Sequence, residues 1–333
     1  MKFLKTEEHF NMPICTVLLI TYNHAEYIRK AIDSVLEQKT QYDFVIHIFD
    51  DASNDGTSDI IREYAQNYPD KIRPFISETN KGAQNNIWNA YKSVKTKYCA
   101  LLECDDYWCD ENKLELQIAA LEQHPECASC AGNTIMFNKG DKYDKAKNGS
   151  LLVSKDLIDK SPIFTRERLK GKFCGYINHI STRIINMEKV NLDEIRDLES
   201  FCYDNAQFFY LLSKGPIIMI DKIFSVRIMT GSGIFSSLNT NKKLRIHLNA
   251  LIEVNRQIDY QLEEIIYEHL QSYLSYFTGA QKQIGAQRIQ IIENIRQLNN
   301  IKKLKHYILS DFLIDILDLP RDIFRIMKNR KEH

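Results

Sequence analysis

Three apolar runs, Thr16–Thr21 (TVLLIT), Phe44–Phe49 (FVIHIF) and Tyr98–Leu102 (YCALL), each stop abruptly at polar or acidic residues. Tyr22-Asn23-His24 follows the first, Asp50-Asp51 the second and Glu103-Cys104-Asp105-Asp106 the third. Runs this short and this apolar read as strands buried on both faces. Helical patterns separate them: Ala25–Glu37, with Ile28, Ala31, Ile32, Val35 and Leu36 on one face; Thr57–Tyr68, closed by Pro69; and Ala83–Val94, after the turn Asn80-Lys81-Gly82. Ile72–Ile76 supplies a shorter strand between the last two helices. This alternation predicts an α/β fold of parallel β-α-β units, whose ligands bind outside the carboxyl ends of the strands. Packing gives a core strand no reason to end in polar groups three times, so the convergence itself predicts a site.

The third strand end is the most demanding. Like charges so close raise one another's pKa unless a cation or hydrogen-bond donors lie between them. An all-oxygen cluster of Glu103, Asp105 and Asp106 suits Mg²⁺ or Mn²⁺ that shares a substrate's phosphates. The plainer alternative is a solvated acidic turn before a helix at Lys113–His124, with Asp110 near its start. No G-x-G-x-x-G follows the first strand and no G-x-x-x-x-G-K-[ST] occurs, which disfavours a classical dinucleotide fold and a P-loop NTPase.

The 333 residues can hold one large domain with an appendage, or two domains. Lys+Arg and Asp+Glu both number 44, so no overall field favours nucleic acid. Met1–Phe10 is charged and lacks the apolar centre of a signal peptide, and no window is long and apolar enough to span a bilayer. A cytoplasmic chain with its 8 cysteines as thiols is the expectation. Cys127-x-x-Cys130, with Cys104 and Cys109 upstream, invites a zinc reading. A buried strand over Cys127–Phe137, with cysteine as a small apolar residue, is the stronger one.

Four stretches in order, TYNHAEYI (21–28), FDDASNDGT (49–57), NKG (80–82) and ECDDYW (103–108), resemble the successive motifs of family 2 glycosyltransferases with the GT-A fold. The resemblance covers residues 13–236, divided into a nucleotide-sugar half (13–130) and an acceptor half (131–236). Residues 1–12 form an extension and 237–333 a helical region. It implies a mixed, mainly parallel sheet, a nucleotide-sugar donor (usually a UDP-sugar), Mn²⁺ or Mg²⁺, and inversion at the anomeric carbon. Thr21 and Tyr22 would line the base pocket and Asp51 would accept a hydrogen bond from uracil. Asn23, Asp50, Asn80, Gly82, Glu103, Asp105 and Arg227 would be further contacts to the nucleotide sugar. Asp105 and Asp106 match the metal motif, with Asp106 favoured as the direct ligand. Glu103 would orient the metal acids or a sugar hydroxyl.

In the second half, Lys139–Ser150 reads as a polar surface loop, Ile158–Lys170 as short helices around Pro162, and Tyr176–Ile185 as a strand with Asn178, His179 and Ser181 in its middle. His179 is expected to be structural, with acceptor contact as the alternative. Asp204 precedes an amphipathic helix at Ala206–Ser213. Capping and the helix dipole explain an acid there. The resemblance instead implies the general base, although Tyr203 stands where the family usually has Glu. Ile217–Ile228 reads as a strand broken at Asp221-Lys222. Met229 stands where the family often has His. Arg227 and Gly231-Ser232-Gly233 either close over the diphosphate or form a glycine-rich hinge. From Asn241 onward the pattern is helical, packed on the same chain or on a second copy. Its basic, apolar tail (Phe312–Met327) suits packing on its own protein or contact with an anionic membrane, where a lipid-linked acceptor would reside.

The expectation is an inverting, metal-dependent glycosyltransferase that moves a sugar from a nucleotide sugar to a glycan or lipid-linked acceptor in surface polysaccharide or glycoconjugate synthesis. The alternatives are a sugar-1-phosphate nucleotidyltransferase, which should carry a basic glycine-rich loop after the first strand, and a non-catalytic nucleotide-sugar-binding protein.

Overall fold

A computed structural model describes residues 12–139, 150–151, 162–169, 178–196, 199–230, 240–259, 261–262, 265–266 and 269. Its centre is a ten-stranded sheet. The strands are β1 (Cys15–Thr21), β2 (Phe44–Asp50), β3 (Ile72–Ile76), β4 (Tyr98–Glu103), β5 (Tyr107–Trp108), β6 (Ser129–Asn138), β7 (Ser150–Leu151), β8 (Ile163–Phe164), β9 (Ile184–Asn186) and β10 (Ile217–Met229). Their order is β3-β2-β1-β4-β9-β6-β10-β5, with β7 on β6 and β8 on β10. The first four neighbours are parallel, as the alternating pattern predicts. β9 then inserts antiparallel between β4 and β6, and makes the sheet mixed.

Register places the polar strand ends side by side. Thr21 pairs with Asp50, and Ile20 with Glu103. The helices α1 (Ile28–Leu36), α2 (Thr57–Asn67), α3 (Ala83–Ser93) and α4 (Lys113–Gln123) return the chain between strands. α1 buries Ile28, Ala31, Ile32 and Val35, the face expected from spacing. It starts later than Ala25 because the Ala25 N–H is bonded to the Asp55 side chain, and His24–Tyr27 forms a turn.

Strand alternation divides the core into two layers. Val17 and Leu19 face Ile32, Val35 and Ile118 on one side of the sheet. Leu18 and Ile20 share the other side with Tyr91, Phe208, Phe209, Leu251 and Val254. The last four belong to two helices, Asp204–Lys214 and Thr240–Gln257. The start of the C-terminal helical pattern therefore packs on the same chain's core. Its remainder, including Phe312–Met327, lies outside the described residues, as do Met1–Asn11, residues 140–149, Asp197 and Gly231–Gly233.

Two local expectations change. Tyr176–Ile185 is not one strand: of its described part, Ile180–Thr182 is a 3₁₀ turn and only Ile184 onward is strand. The Ser181 N–H bonds the ring of His179 and the Thr182 hydroxyl bonds the His179 carbonyl, so local polar bonds win over a sheet ladder there. Conversely, Asp221-Lys222 does not break β10. Register shifts between Met219 and Ser225 absorb the polar pair as a bulge. Cys127 and Cys130 are buried free thiols, and burial pushes them up to about 11 and about 12, against a zinc-thiolate reading. Among the described residues no helix is long and apolar enough to cross a membrane.

Candidate active site

The loops after β1 and β2 are laced together by short polar side chains. The Asn23 N–H donates to Ser53 Oγ at 2.8 Å, and the Asn54 N–H to Asn23 Oδ1 at 3.0 Å. The His24 N–H donates to Thr57 Oγ1 at 2.9 Å. Asp55 accepts from the Ala25 N–H at 3.0 Å and the Thr57 hydroxyl at 2.6 Å. The geometry holds Asn23 and Ala52 at φ of 55° and 62°, a left-handed conformation unusual for residues with a Cβ. Asp50 is wholly buried and accepts from the hydroxyls of Ser53 and Ser58. It braces the loop from beneath. Asp51 accepts from the Lys81 and Gly82 N–H groups, both at 2.8 Å, and so ties β2 to the turn that starts α3. Asn80 Oδ1 also accepts from the Gly82 N–H, at 3.0 Å. Gly82 has φ +84°, which a glycine adopts without strain. The Thr21 hydroxyl is buried without a hydrogen-bond partner, and the Tyr22 ring beside it is 41% exposed.

At the end of β4 the acids separate by environment. Asp106 is buried and accepts from Ser181 Oγ at 2.9 Å and from the Ile228 N–H of β10 at 3.3 Å. Burial, then the charges of Asp105 and Glu103, push its carboxyl well above the usual range, while Arg227 and the Ser181 hydroxyl pull the other way. Desolvation, then Asp105 and Asp204, push Glu103 up to about 8, although its side chain keeps 40% of its exposure. Asp105 is partly exposed between them.

His179 stands among these acids, 1% exposed. Its Nδ1 is 3.4 Å from Asp106 Oδ2, and its Nε2 is 3.5 Å from Glu103 Oε2 and 3.9 Å from Asp204 Oδ2. Nε2 has no hydrogen-bond partner. Burial, against the pull of Asp204, lowers its pKa to about 4, so the ring is neutral at neutral pH. Glu103, Asp106 and His179 offer three donor atoms within 4.8 Å of one another. The two carboxylates in this set have the oxygen chemistry of a divalent-cation site.

Asp204 is the first residue of its helix, and the N-cap position falls on Tyr203, so the Asp204 side chain is not the cap, although an acid in the first turn still suits the helix dipole. Asp204 Oδ1 accepts instead from the Ile180 N–H, at 2.8 Å, and so fixes the 3₁₀ turn that carries His179. Arg183, 1% exposed, anchors the same turn from behind. Its guanidinium donates to Asn178, to Gln207 and to the Asp204 carbonyl. Trp108 Nε1 closes the turn's other side with a bond to the Ser181 carbonyl at 2.8 Å.

The strand ends thus gather Thr21, Tyr22, Asn23, Asp51, Asn80 and Gly82 on one flank, and Glu103, Asp105, Asp106 and Asp204 on the other. Arg227, on β10, acts electrostatically on Glu103 and Asp106. Sequence reasoning took His179 as structural, with acceptor contact as the alternative, and passed over Ser181 and Arg183 as parts of the site. The available signal was the polar trio Asn178, His179 and Ser181 inside an otherwise apolar run.

This architecture is the GT-A fold. It is similar to TarS 1–349 of S. aureus in complex with UDP-GlcNAc, with a TM-score of 0.55 at 19% identity over 80% of this chain and 73% of that one. It is also similar to the mannosyltransferase PcManGT of Pyrobaculum calidifontis in complex with GDP-Man and Mn²⁺, with a TM-score of 0.50 at 14% identity over 92% and 84% of the two chains. In sequence, an uncharacterised Mycobacterium tuberculosis protein is 42% identical over 115 residues, 34% of this chain, which spans 33% of that protein's length. Escherichia coli chondroitin synthase is 27% identical over 221 residues, 66% of this chain and 29% of that protein. The motifs that lace β1 to β2 and crowd acids at the end of β4 lie within residues 16–190, the span matched by the profile of Glycosyl transferase family 2, and the chain belongs to that family.

Proposed function

We propose that the protein transfers a sugar from a nucleotide sugar, UDP-linked, to a hydroxyl of a glycan or lipid-linked acceptor, with inversion, in polysaccharide or glycoconjugate synthesis. The observation that carries this reading is the meeting of β1, β2 and β4 ends with Asp204 around one cleft. On the donor flank the exposed Tyr22 ring, next to Thr21, gives a face for the base. Asp51 retains acceptor capacity beyond its two backbone bonds and receives the uracil N–H. Asn23, Asn80 and Gly82 shape this pocket, and Arg227 offers positive charge to the diphosphate. Asp50 supports the loop from below rather than touching the donor.

On the other flank Asp204 takes the proton from the acceptor hydroxyl. Its Oδ1 is committed to the Ile180 N–H, which leaves Oδ2, 3.9 Å from His179 Nε2, to take it. The deprotonated oxygen attacks the anomeric carbon from the side opposite the nucleotide. Glu103 orients a sugar hydroxyl. Asp105 and Asp106, with Glu103 and His179 beside them, would hold Mn²⁺ or Mg²⁺. Such an ion would stabilise charge that grows on the leaving diphosphate. Cytoplasmic location and contact of the C-terminal tail with an anionic membrane are part of the same proposal.

Incubation with a panel of nucleotide sugars, read by release of free nucleotide, tests the reading. Slow, metal-dependent release from one donor is expected. Release of pyrophosphate from a nucleoside triphosphate and a sugar phosphate would instead identify a nucleotidyltransferase.

A further inference from the structure

The two ring nitrogens of His179 have different tasks. His179 stands at the N-cap of the turn Ile180–Thr182, and its Nδ1 accepts from the Ser181 N–H at 3.3 Å. In a neutral imidazole one nitrogen accepts and the other carries the proton. Nδ1 accepts, so the proton is on Nε2. That nitrogen is buried, with no hydrogen-bond partner among the described residues. It lies 3.5 Å from Glu103 Oε2 and 3.9 Å from Asp204 Oδ2. A buried N–H left unpaired costs about 1–3 kcal/mol, and packing alone gives no reason to aim one between two acids. Both gaps are longer than a good hydrogen bond, a common state of catalytic contacts before substrates tighten them. At 1% exposure the ring does not itself reach a substrate. With Nδ1 engaged and Nε2 protonated, it has no lone pair for an acceptor's proton either. What is left to it is action through a carboxylate. Asp204 already has one oxygen fixed, because Oδ1 accepts from the Ile180 N–H at 2.8 Å. The same turn thus presents a backbone N–H to one oxygen of Asp204 and a ring N–H to the other.

We propose that His179 is a positioning residue for Asp204: its Nε2–H closes on Asp204 Oδ2 when substrates fill the cleft, and so sets the angle at which that carboxylate meets the acceptor hydroxyl. A carboxylate oxygen has lone pairs enough to accept this bond and the hydroxyl proton together. Glu103 is the competing partner, and its commitment to a sugar hydroxyl leaves the N–H to Asp204. A neutral N–H lowers the basicity of a carboxylate less than a cation at the same place would. This rests on the proposed function in taking Asp204 as the base.

Two substitutions separate positioning from turn structure. His179→Asn keeps a side-chain oxygen at the cap for the Ser181 N–H and has no N–H at the reach of Nε2. His179→Gln carries an amide N–H to that reach and gives up the cap. Thermal melting and steady-state release of nucleotide, with water as the acceptor of the donor found in the panel, are measured for both. His179→Asn should melt near the wild type and lose kcat by a factor on the order of 10–100, with KM for the donor unchanged. His179→Gln should melt lower and keep more of its kcat per folded molecule. Activity that follows stability, with Asn above Gln, would overturn the proposal and leave His179 as a cap. A second measurement needs no substrate. In ¹H–¹⁵N spectra of the ¹⁵N-histidine-labelled protein, the His179 signal, assigned by its loss in either variant, should show the proton on Nε2, and Asp204→Asn should shift that proton upfield. A proton on Nδ1, or a resonance that Asp204→Asn does not move, would also overturn the proposal. The two ideas fail separately: the expected spectra without nucleotide release from any donor defeat only the glycosyl-transfer reading, and release with an Nδ1 proton defeats only the role of His179.

Discussion

The two flanks of the cleft hold their polar groups in different ways. On the donor flank, between β1 and α3, polar side chains largely answer loop backbone. Ser53, Asn23, Thr57 and Asp55 bond neighbouring N–H groups, and Asp51 bonds two more. These residues build a shaped, partly strained wall whose side chains are spent largely on backbone, with Asp51 keeping acceptor capacity beyond its two bonds. On the opposite flank the side chains face one another: His179 meets Glu103, Asp106 and Asp204, while Arg183 clamps the turn that carries it. There the charges are incompletely matched, and burial drives Glu103 and Asp106 upward. A wall of satisfied backbone suits recognition of a fixed ligand. A cluster of poised carboxylates suits proton transfer and cation binding.

The largest effect separating the flanks is expected from Asp204→Asn. The amide oxygen can still accept from the Ile180 N–H, so the turn survives, but an amide cannot act as a base. Transfer to acceptor should fall by a factor on the order of 10²–10⁴, while calorimetry finds donor binding unchanged. Transfer close to wild type would move the base elsewhere in the cluster.

Next comes the clamp. Arg183→Met would leave Asn178, Gln207 and the Asp204 carbonyl without their buried donor. Urea unfolding should report a loss of roughly 3–5 kcal/mol. A loss under 1 kcal/mol would mean that this flank does not depend on Arg183.

The smallest effect distinguishes two neighbouring acids of the donor flank. Asp50 has a single fixed donor, the Ser53 N–H on Oδ1, and its other oxygen faces the Ser58 hydroxyl, which can rotate to accept from an amide, so Asp50→Asn should cost little. Asp51 bonds two fixed N–H donors, and an asparagine must turn its own NH₂ toward one of them. Asp51→Asn should therefore cost about 1–3 kcal/mol and weaken UDP binding even without metal. Equal stability of the two variants would erase the contrast.

The parallel half of the sheet was legible because apolar runs, turn residues and helical periodicity are local signals. Ile72–Ile76 and Thr57–Asn67 fall where those signals put them. The turn at 180–182 was not legible, because its reasons are distant: Ser181 is held by Asp106 and Trp108, and Ile180 by Asp204. No periodicity within Tyr176–Ile185 encodes those partners. For the same reason Asp204 read equally as a cap, and His179 as an ordinary core residue. Asp50 and Asp51 looked alike in the sequence, and only their separate partners show one beneath the loop and one tied across to α3.

The proposal that one carboxylate, Asp204, drives a single displacement is tested most directly by the configuration of the product. With the donor found in the panel, proton NMR of the first transferred sugar should show the anomeric configuration opposite to the donor's. Retained configuration, observed before any mutarotation, would contradict it.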